Sequence, residues 1–136
     1  MCQNIDDFNR GSALVMAYLY RRFPRPCVLD VGRIEGSEDL FADGRPEPLR
    51  ERGQVYVATV QFLADEGYLV YRHFDDWSSF NGVRLTSKGL AALNRVPEAL
   101  QAPRKTLGDR LIAMTADLAG SASKEAVSAA VQVLLA

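Results

Sequence analysis

The chain changes its hydrophobic period at Gly67, and this change constrains the fold more than any other feature of its 136 residues. Upstream of Gly67, apolar residues recur every three or four positions, as in an amphipathic helix that begins at Pro48. Downstream, residues 68–74 are rich in aromatic and β-branched side chains, as in a strand. Glycine can adopt the left-handed conformation that turns a chain from helix to strand. The sequence therefore predicts a helix that ends at Gly67 and a strand that follows it.

A second strand is predicted to return beside the first. Residues 75–79 form a polar tip, and Asn81-Gly82 favours a tight turn. Residues 83–85 then form the returning strand, and Thr86 caps a short helix over residues 87–94.

The first 48 residues predict a helix, a strand and a long loop. The helix covers residues 5–22, because apolar side chains recur there at helical spacing and Pro24 stops it. A strand over residues 26–31 leads into a loop over residues 32–48, in which Ser37 caps one short helical turn. Together these elements predict an α+β fold. The predicted core is formed by Leu14, Tyr18, Val28, Val55, Phe62, Leu63, Leu69, Val83, Leu85 and Leu90.

Two short phrases carry a resemblance to a known family. Residues 62–69 read FLADEGYL and residues 83–90 read VRLTSKGL. In this order and spacing they resemble the winged helix-turn-helix superfamily, which includes many bacterial regulators. In that superfamily the third helix ends in an apolar-x-x-x-Gly-Tyr-apolar phrase, and the second wing strand runs into Leu-Thr-x-x-Gly. The resemblance covers residues 5–96, and it implies a winged helix-turn-helix domain over residues 1–96 that binds DNA and regulates transcription.

The DNA-binding hypothesis follows from this resemblance, which implies a third helix in the major groove and a wing on the DNA backbone. Arginine can pair with guanine, glutamine can pair with adenine, and basic side chains neutralise phosphates. The predicted contacts are Arg50, Arg52, Gln54, Gln61, Arg72, Arg84 and Lys88. Two observations oppose the hypothesis: Asp75 and Asp76 lie at the wing tip, and residues 1–97 hold 12 basic and 13 acidic residues.

The alternative hypothesis is a winged-helix module that contacts another protein without binding DNA. Val57 and Ala58 on the third helix, and Trp77 and Phe80 at the wing, suit an apolar partner surface. The surface charge over the third helix and the wing discriminates between the two hypotheses. A continuous positive stripe favours DNA, and a neutral or acidic surface favours protein.

The end of the chain is predicted to be a helical extension over residues 106–136, which residues 97–105 link to the first domain. Its apolar stripe is narrow and suits packing of one helix against another. The stripe consists of Leu107, Leu111, Met114, Leu118, Val127, Val131 and Leu134. Its partner is either the helix at residues 5–22 or the same segment of a second chain. We favour the second chain, because the linker separates the segment from the core and winged-helix regulators are commonly two-fold dimers. Attachment to a membrane surface is a weaker interpretation, because the polar face has few cations.

The residue types that carry most catalytic and metal chemistry are scarce. Two cysteines and one histidine, without paired spacing, predict neither a metal site nor a cofactor site. His73 is the only base available to a serine or cysteine nucleophile, so we expect no catalytic residues and no enzymatic activity. A formal net charge of −1 excludes a strongly basic nucleic-acid coat. The apolar runs are too short to span a membrane. Because two cysteines are too few for a disulfide framework and the first residues are acidic and polar, unlike a secretory signal, we expect a cytoplasmic protein.

Overall fold

The computed structural model describes residues 3–36, 38–42, 44–95, 105–116 and 124–136. Within these residues the chain is α+β, as predicted. The helices are α1 (Gln3–Arg22), α2 (Val31–Glu35), α3 (Glu47–Asp65), α4 (Ser87–Leu93), α5 (Leu107–Ala116) and α6 (Lys124–Leu135). The strands are β1 (Cys27–Asp30), β2 (Leu69–Val70), β3 (His73–Phe74) and β4 (Ser79–Leu85), and a 3₁₀ turn covers Glu38–Phe41. None of the described helices is long and apolar enough to cross a bilayer.

The four strands form a small antiparallel sheet around β4. Its order is β1-β4-β2, and β3 pairs with the first part of β4. Leu69 lies opposite Leu85, and Phe74 lies opposite Phe80. The strand predicted at residues 68–74 is therefore present as two short strands, β2 and β3, both paired with β4.

The predicted tight turn at Asn81-Gly82 is wrong, because both residues lie inside β4. The chain reverses earlier, after Asp75, whose carboxylate accepts the backbone N–H groups of the three residues after Asp76. Gly82 has a φ of 67°, which distorts β4 locally. The side chain of Arg72 lies over Gly82, so that a Cβ there would come within 2.9 Å of it.

The ends of three helices are fixed by local sequence. Gly67 has a φ of 86° and ends α3, as predicted. Thr86 caps α4 by accepting the N–H of Gly89, also as predicted. Asp30 caps α2 through the N–H groups of its second and third residues, although the sequence predicted mainly a loop there. The predicted cap residue Ser37 lies outside the described residues.

Helix α1 occupies the centre of the molecule. It packs against α3, α5 and α6 as well as against β4. Small side chains on α1 permit this close packing; a Cβ on Gly11, for example, would lie 3.0 Å from the Tyr56 ring. The core contains five of the predicted residues, namely Leu14, Leu63, Leu69, Val83 and Leu85. Tyr18, Val55 and Leu90 are half-buried.

Two residues predicted in the core, Val28 and Phe62, lie at the surface. Val28 is 56% exposed and Phe62 is 42% exposed. Val28 alternates with Leu29 along β1, and only Leu29 points to the core. Phe62 continues the apolar pattern of α3, but the described helix beside it, α1, covers only part of its ring.

Helices α5 and α6 lie against α1 of the same chain. Leu107, Leu111, Val131 and Leu134 are completely buried there, while Met114 and Val127 are half-buried. The stripe predicted to pair with a second chain is thus largely covered within one chain by α1, the other of the two partners considered from the sequence. Leu118 and most of the predicted linker, residues 97–104, lie outside the described residues.

Polar contacts made by Tyr20 and Arg95 help to join this C-terminal segment to the rest of the fold. The Tyr20 hydroxyl lies 3.0 Å from Asn94 Oδ1 and 3.3 Å from Thr106 Oγ1. The Arg95 guanidinium donates to the carbonyl oxygens of Val133 and Ala136. The C-terminal helices are consequently part of the same packed unit as α1.

Candidate interaction surface on α1 and α3

The N-terminal half of α3 carries most of the predicted DNA-reading residues. Gln54 and Ala58 are exposed, whereas Val57 and Gln61 are half-buried. Arg50 is exposed and lies 3.7 Å from Glu47, one turn earlier on the same helix. The structure thus brings part of the predicted set onto one face, but its exposed arginine already has an acidic neighbour.

Arg52 points away from this face, toward α1 and α2. Its guanidinium lies 3.9 Å from a carboxylate oxygen of Asp7 and 3.6 Å from one of Glu35. Both carboxylates are buried, so Arg52 supplies the positive charge that makes their burial tolerable. Tyr56 lies beside this cluster, where burial and then the Glu35 carboxylate raise the pKa of its hydroxyl. Arg52 is therefore already paired with carboxylates of the fold, although its side chain is 36% exposed, and a DNA contact by Arg52 would compete with these pairs.

An apolar groove of about 440 Å³ lies between α1 and α3, next to the predicted DNA-reading face. We call it the α1–α3 groove; it is lined by Asn4, Ile5, Phe8, Val55, Ala58, Thr59 and Phe62. Phe8 and Phe62 meet edge to face, with their ring centroids 5.4 Å apart. Ile5 is 52% exposed and Phe62 is 42% exposed. The groove therefore presents large apolar side chains to solvent.

Sequence reasoning missed this groove because it assigned Phe62 to the core and gave Ile5 no role. The available signal was the spacing of Ile5 and Phe8, which extends the apolar stripe of α1 by one turn. That stripe is longer than the surface that α3 covers. Whether the extra turn faces a neighbour or solvent depends on where α3 crosses α1. The spacing of apolar residues along α1 does not predict the position of that crossing.

The exposed charges along the α1–α3 groove are mainly acidic. In α3, which the structure describes in full, Glu47, Glu51 and Asp65 are exposed together with Arg50. Arg52 is neutralised by buried carboxylates, so the exposed face of α3 is net negative. This face lacks the continuous positive stripe that DNA binding favours.

Strand β4 and the residues that join β2 to β3 carry two of the predicted phosphate contacts on the outer face of the sheet. Arg84 is exposed opposite Val70, and Arg72 lies over Gly82, two residues before Arg84 on the same strand face. Both guanidinium groups are accessible, although that of Arg84 also donates to the carbonyl of Leu85. This pair is the most cationic part of the predicted DNA surface.

Lys88 is already bound within the fold. Its ammonium donates to the carbonyl oxygen of Glu66 at 2.7 Å and lies 4.5 Å from the centre of the Tyr68 ring. The contact ties the start of α4 to the end of α3. A phosphate contact by Lys88 would compete with these two interactions.

The hairpin tip is only partly available to a protein partner. Trp77 is 49% exposed and packs edge to face on Phe41 at 5.7 Å, with the Arg45 guanidinium near both rings. Phe80, predicted as an exposed anchor, is completely buried and stacks on Phe74 at 4.4 Å. Phe80 belongs to the core because it lies within β4. The turn predicted at Asn81-Gly82, which would have placed Phe80 at an exposed tip, is not formed.

The described residues hold no group of three or more His, Cys, Asp or Glu side chains that could bind a metal ion. Burial raises the pKa of the Cys27 thiol, and the nearby Arg22 opposes this shift only in part.

No family model, curated protein or solved structure matches this chain.

Proposed function

We propose that this chain is a winged-helix module that binds another protein through the α1–α3 groove. The order α1, β1, α2, α3, β2, hairpin supports the winged-helix interpretation, as does the sheet order β1-β4-β2. In this interpretation α3 is the third helix and the β3–β4 hairpin is the wing. The fold alone does not imply DNA binding, because function depends on the surface that the fold presents.

The proposal rests on exposed apolar side chains that lie beside a net negative rim, which is formed by Glu51 and Asp65. Ile5 and Phe62 present apolar surface, which offers a phosphate backbone neither positive charge nor hydrogen-bond donors. Glu51 lies four residues before Val55, and Asp65 lies three residues after Phe62, so acids flank the apolar stretch along one helix face. DNA would be repelled by this rim, whereas a protein surface with basic residues would complement it.

The occupant that fits is an amphipathic helix with basic residues at both ends of its apolar face. A helix laid into an apolar groove anchors itself with side chains spaced three and four residues apart. Its apolar anchors would cover Ile5 and Phe62, and its basic ends would lie near Glu51 and Asp65. The α1–α3 groove would thus select a partner by both shape and charge.

Fluorescence anisotropy with a designed peptide tests this function. The probe is a labelled helical peptide with leucines on one face and lysines at both ends; its control has the same composition in scrambled order. We expect micromolar binding of the probe alone, and Phe62→Glu to weaken it by roughly tenfold or more. Val70→Glu is the matched control variant, because Val70 is similarly exposed, at 40%, on the sheet.

A second variant separates loss of binding from loss of folding. Ile5→Glu changes the other exposed anchor near the start of α1, and circular dichroism reports whether each variant retains its helices. We expect Ile5→Glu to weaken binding while the helical signal is retained. Equal binding of the scrambled peptide, or unchanged binding by folded Phe62→Glu, would refute the proposal.

Duplex DNA binding is the second candidate, and the exposed pair Arg72 and Arg84 favours it. A shift assay with random duplex DNA at about 50 mM salt tests it, because phosphate contacts weaken as salt rises. If DNA is the ligand, Arg84→Ala weakens binding to all sequences and flattens the salt dependence. Changing Arg50 and Gln54 together to alanine would then remove sequence preference. The absence of any shift at micromolar protein would exclude this candidate.

A further inference from the structure

The opposite end of α1 lines a second groove. It has a volume of about 580 Å³ and lies between the C-terminal half of α1, strand β1, helix α2 and Thr115 near the end of α5. Leu14, Ala17 and Ile34 contribute its apolar lining, and Val28 is 56% exposed beside them. Because three arginines also line it, we call it the arginine groove.

The described lining of the arginine groove has an excess of positive charge, with three arginines and one aspartate. Its arginines are Arg21, Arg22 and Arg33. The Arg22 guanidinium is held 3.6 Å from the centre of the Tyr18 ring. Arg21 and Arg33 are exposed, and neither forms an ion pair with a side chain that the structure describes.

The carboxylate that lines the same groove is already committed to the fold. Oδ1 of Asp30 accepts the N–H groups of Gly32 and Arg33, which caps α2. Oδ2 accepts the hydroxyls of Ser78 and Ser79. Asp30 is therefore held by four donors, and the free guanidinium groups remain available to an external anion.

We propose that the arginine groove binds an acidic segment of a partner protein that also carries apolar side chains. Carboxylates on the segment would pair with Arg21 and Arg33, since guanidinium groups bind carboxylates in two-pronged contacts. An apolar side chain of the segment would cover Val28.

One feature favours an acidic peptide over nucleic acid. A phosphodiester backbone would leave the exposed Val28 and its apolar neighbours uncovered, whereas a mixed acidic and apolar peptide buries them.

The segment would be held by side chains rather than as an added strand. β1 is an edge strand, but the Tyr18 hydroxyl donates to the carbonyl oxygen of Val28 at 3.1 Å. This contact occupies an acceptor that strand addition would need. The arginine groove and the α1–α3 groove share no lining residue, so a substitution can disrupt binding at one groove without changing the other.

Anisotropy with a labelled peptide of glutamates and leucines tests the proposal. The test variant carries Arg21→Gln and Arg33→Gln; the control carries Arg72→Gln and Arg84→Gln, which removes the same charge from the sheet face. We expect the test variant to raise the Kd by roughly tenfold and the control to change it by less than about twofold. Val28→Ser should raise the Kd by roughly threefold, because it removes apolar contact without changing charge.

Three outcomes would overturn the proposal. Equal loss of binding in the test and control variants would show attraction by net charge alone. Absence of binding by the folded wild-type chain at about 100 µM would show that the groove does not hold this class of ligand. Tighter binding of a single-stranded oligonucleotide, abolished by the same two substitutions, would replace the acidic peptide with nucleic acid. Binding of the basic helical probe at the α1–α3 groove should be unchanged in the test variant.

Discussion

Replacing Leu111 with alanine tests whether the C-terminal helices are part of the folded unit. Leu111 lies on α5 with no exposed surface. A leucine buried to this degree costs about 2–5 kcal/mol when truncated, because its apolar contacts are lost and a cavity remains. Since α5 lies at the outside of the core and can relax inward, we expect a loss of about 3 kcal/mol. At about 3 °C per kcal/mol for a chain of this size, the melting temperature should fall by about 10 °C.

The assay is urea denaturation followed by circular dichroism, at about 2 µM and about 200 µM protein. The control is Met114→Ala on the same helix, which should cost less than about 1.5 kcal/mol because Met114 is only half-buried. We expect the unfolding midpoint to be independent of protein concentration. A midpoint that rises with concentration would show that folding is coupled to association with a second chain. A loss below about 1 kcal/mol for Leu111→Ala would show that α5 is not packed as described.

Three further substitutions probe other parts of the fold, each followed by denaturant unfolding. Arg52→Ala should cost about 2 kcal/mol because it leaves two buried carboxylates without their cation, whereas Arg50→Ala at the surface should cost less than about 0.5 kcal/mol. Asp75→Ala removes an exposed carboxylate; slight desolvation raises its pKa, but three backbone N–H groups outweigh this and lower it. Because the carboxylate is exposed, solvent screens its contribution and keeps it small. The contribution is present above the ordinary aspartate pKa of about 4 and is lost as the pH falls through the lowered pKa, so variant and wild type should differ less in acid. Gly89→Ala should cost more than about 2 kcal/mol, because the new Cβ would overlap the backbone carbonyl of Tyr68; equal stability would refute the close approach of α4 to β2.

Most of the individual elements were predictable from sequence. Gly67, Thr86 and the helical spacing of residues 5–22 act over a few residues, so their effects are visible in any context. The turn was misplaced for a specific reason. Asn81-Gly82 has the composition of a tight turn, but the three hydrogen bonds to the Asp75 carboxylate favour an earlier reversal.

The candidate site was predictable only in part. Gln54 and Ala58 are exposed on α3 as the helical period indicates, since no other described element covers that face. Arg52 is only two positions from Arg50, yet it pairs with carboxylates from α1 and α2. Its role depends on groups that are distant in sequence, and no local pattern reveals them.

By itself, the sequence determined where α1 and α3 end and where α4 begins, because caps, glycines and apolar periods act through neighbours along the chain. Only the tertiary structure decided which apolar residues are covered. Phe62 and Leu111 both belong to helical apolar stripes, but α1 lies over Leu111 and leaves much of Phe62 in solvent. The reason is that burial depends on where two helices cross, and the crossing is set by the packing of all the elements around α1.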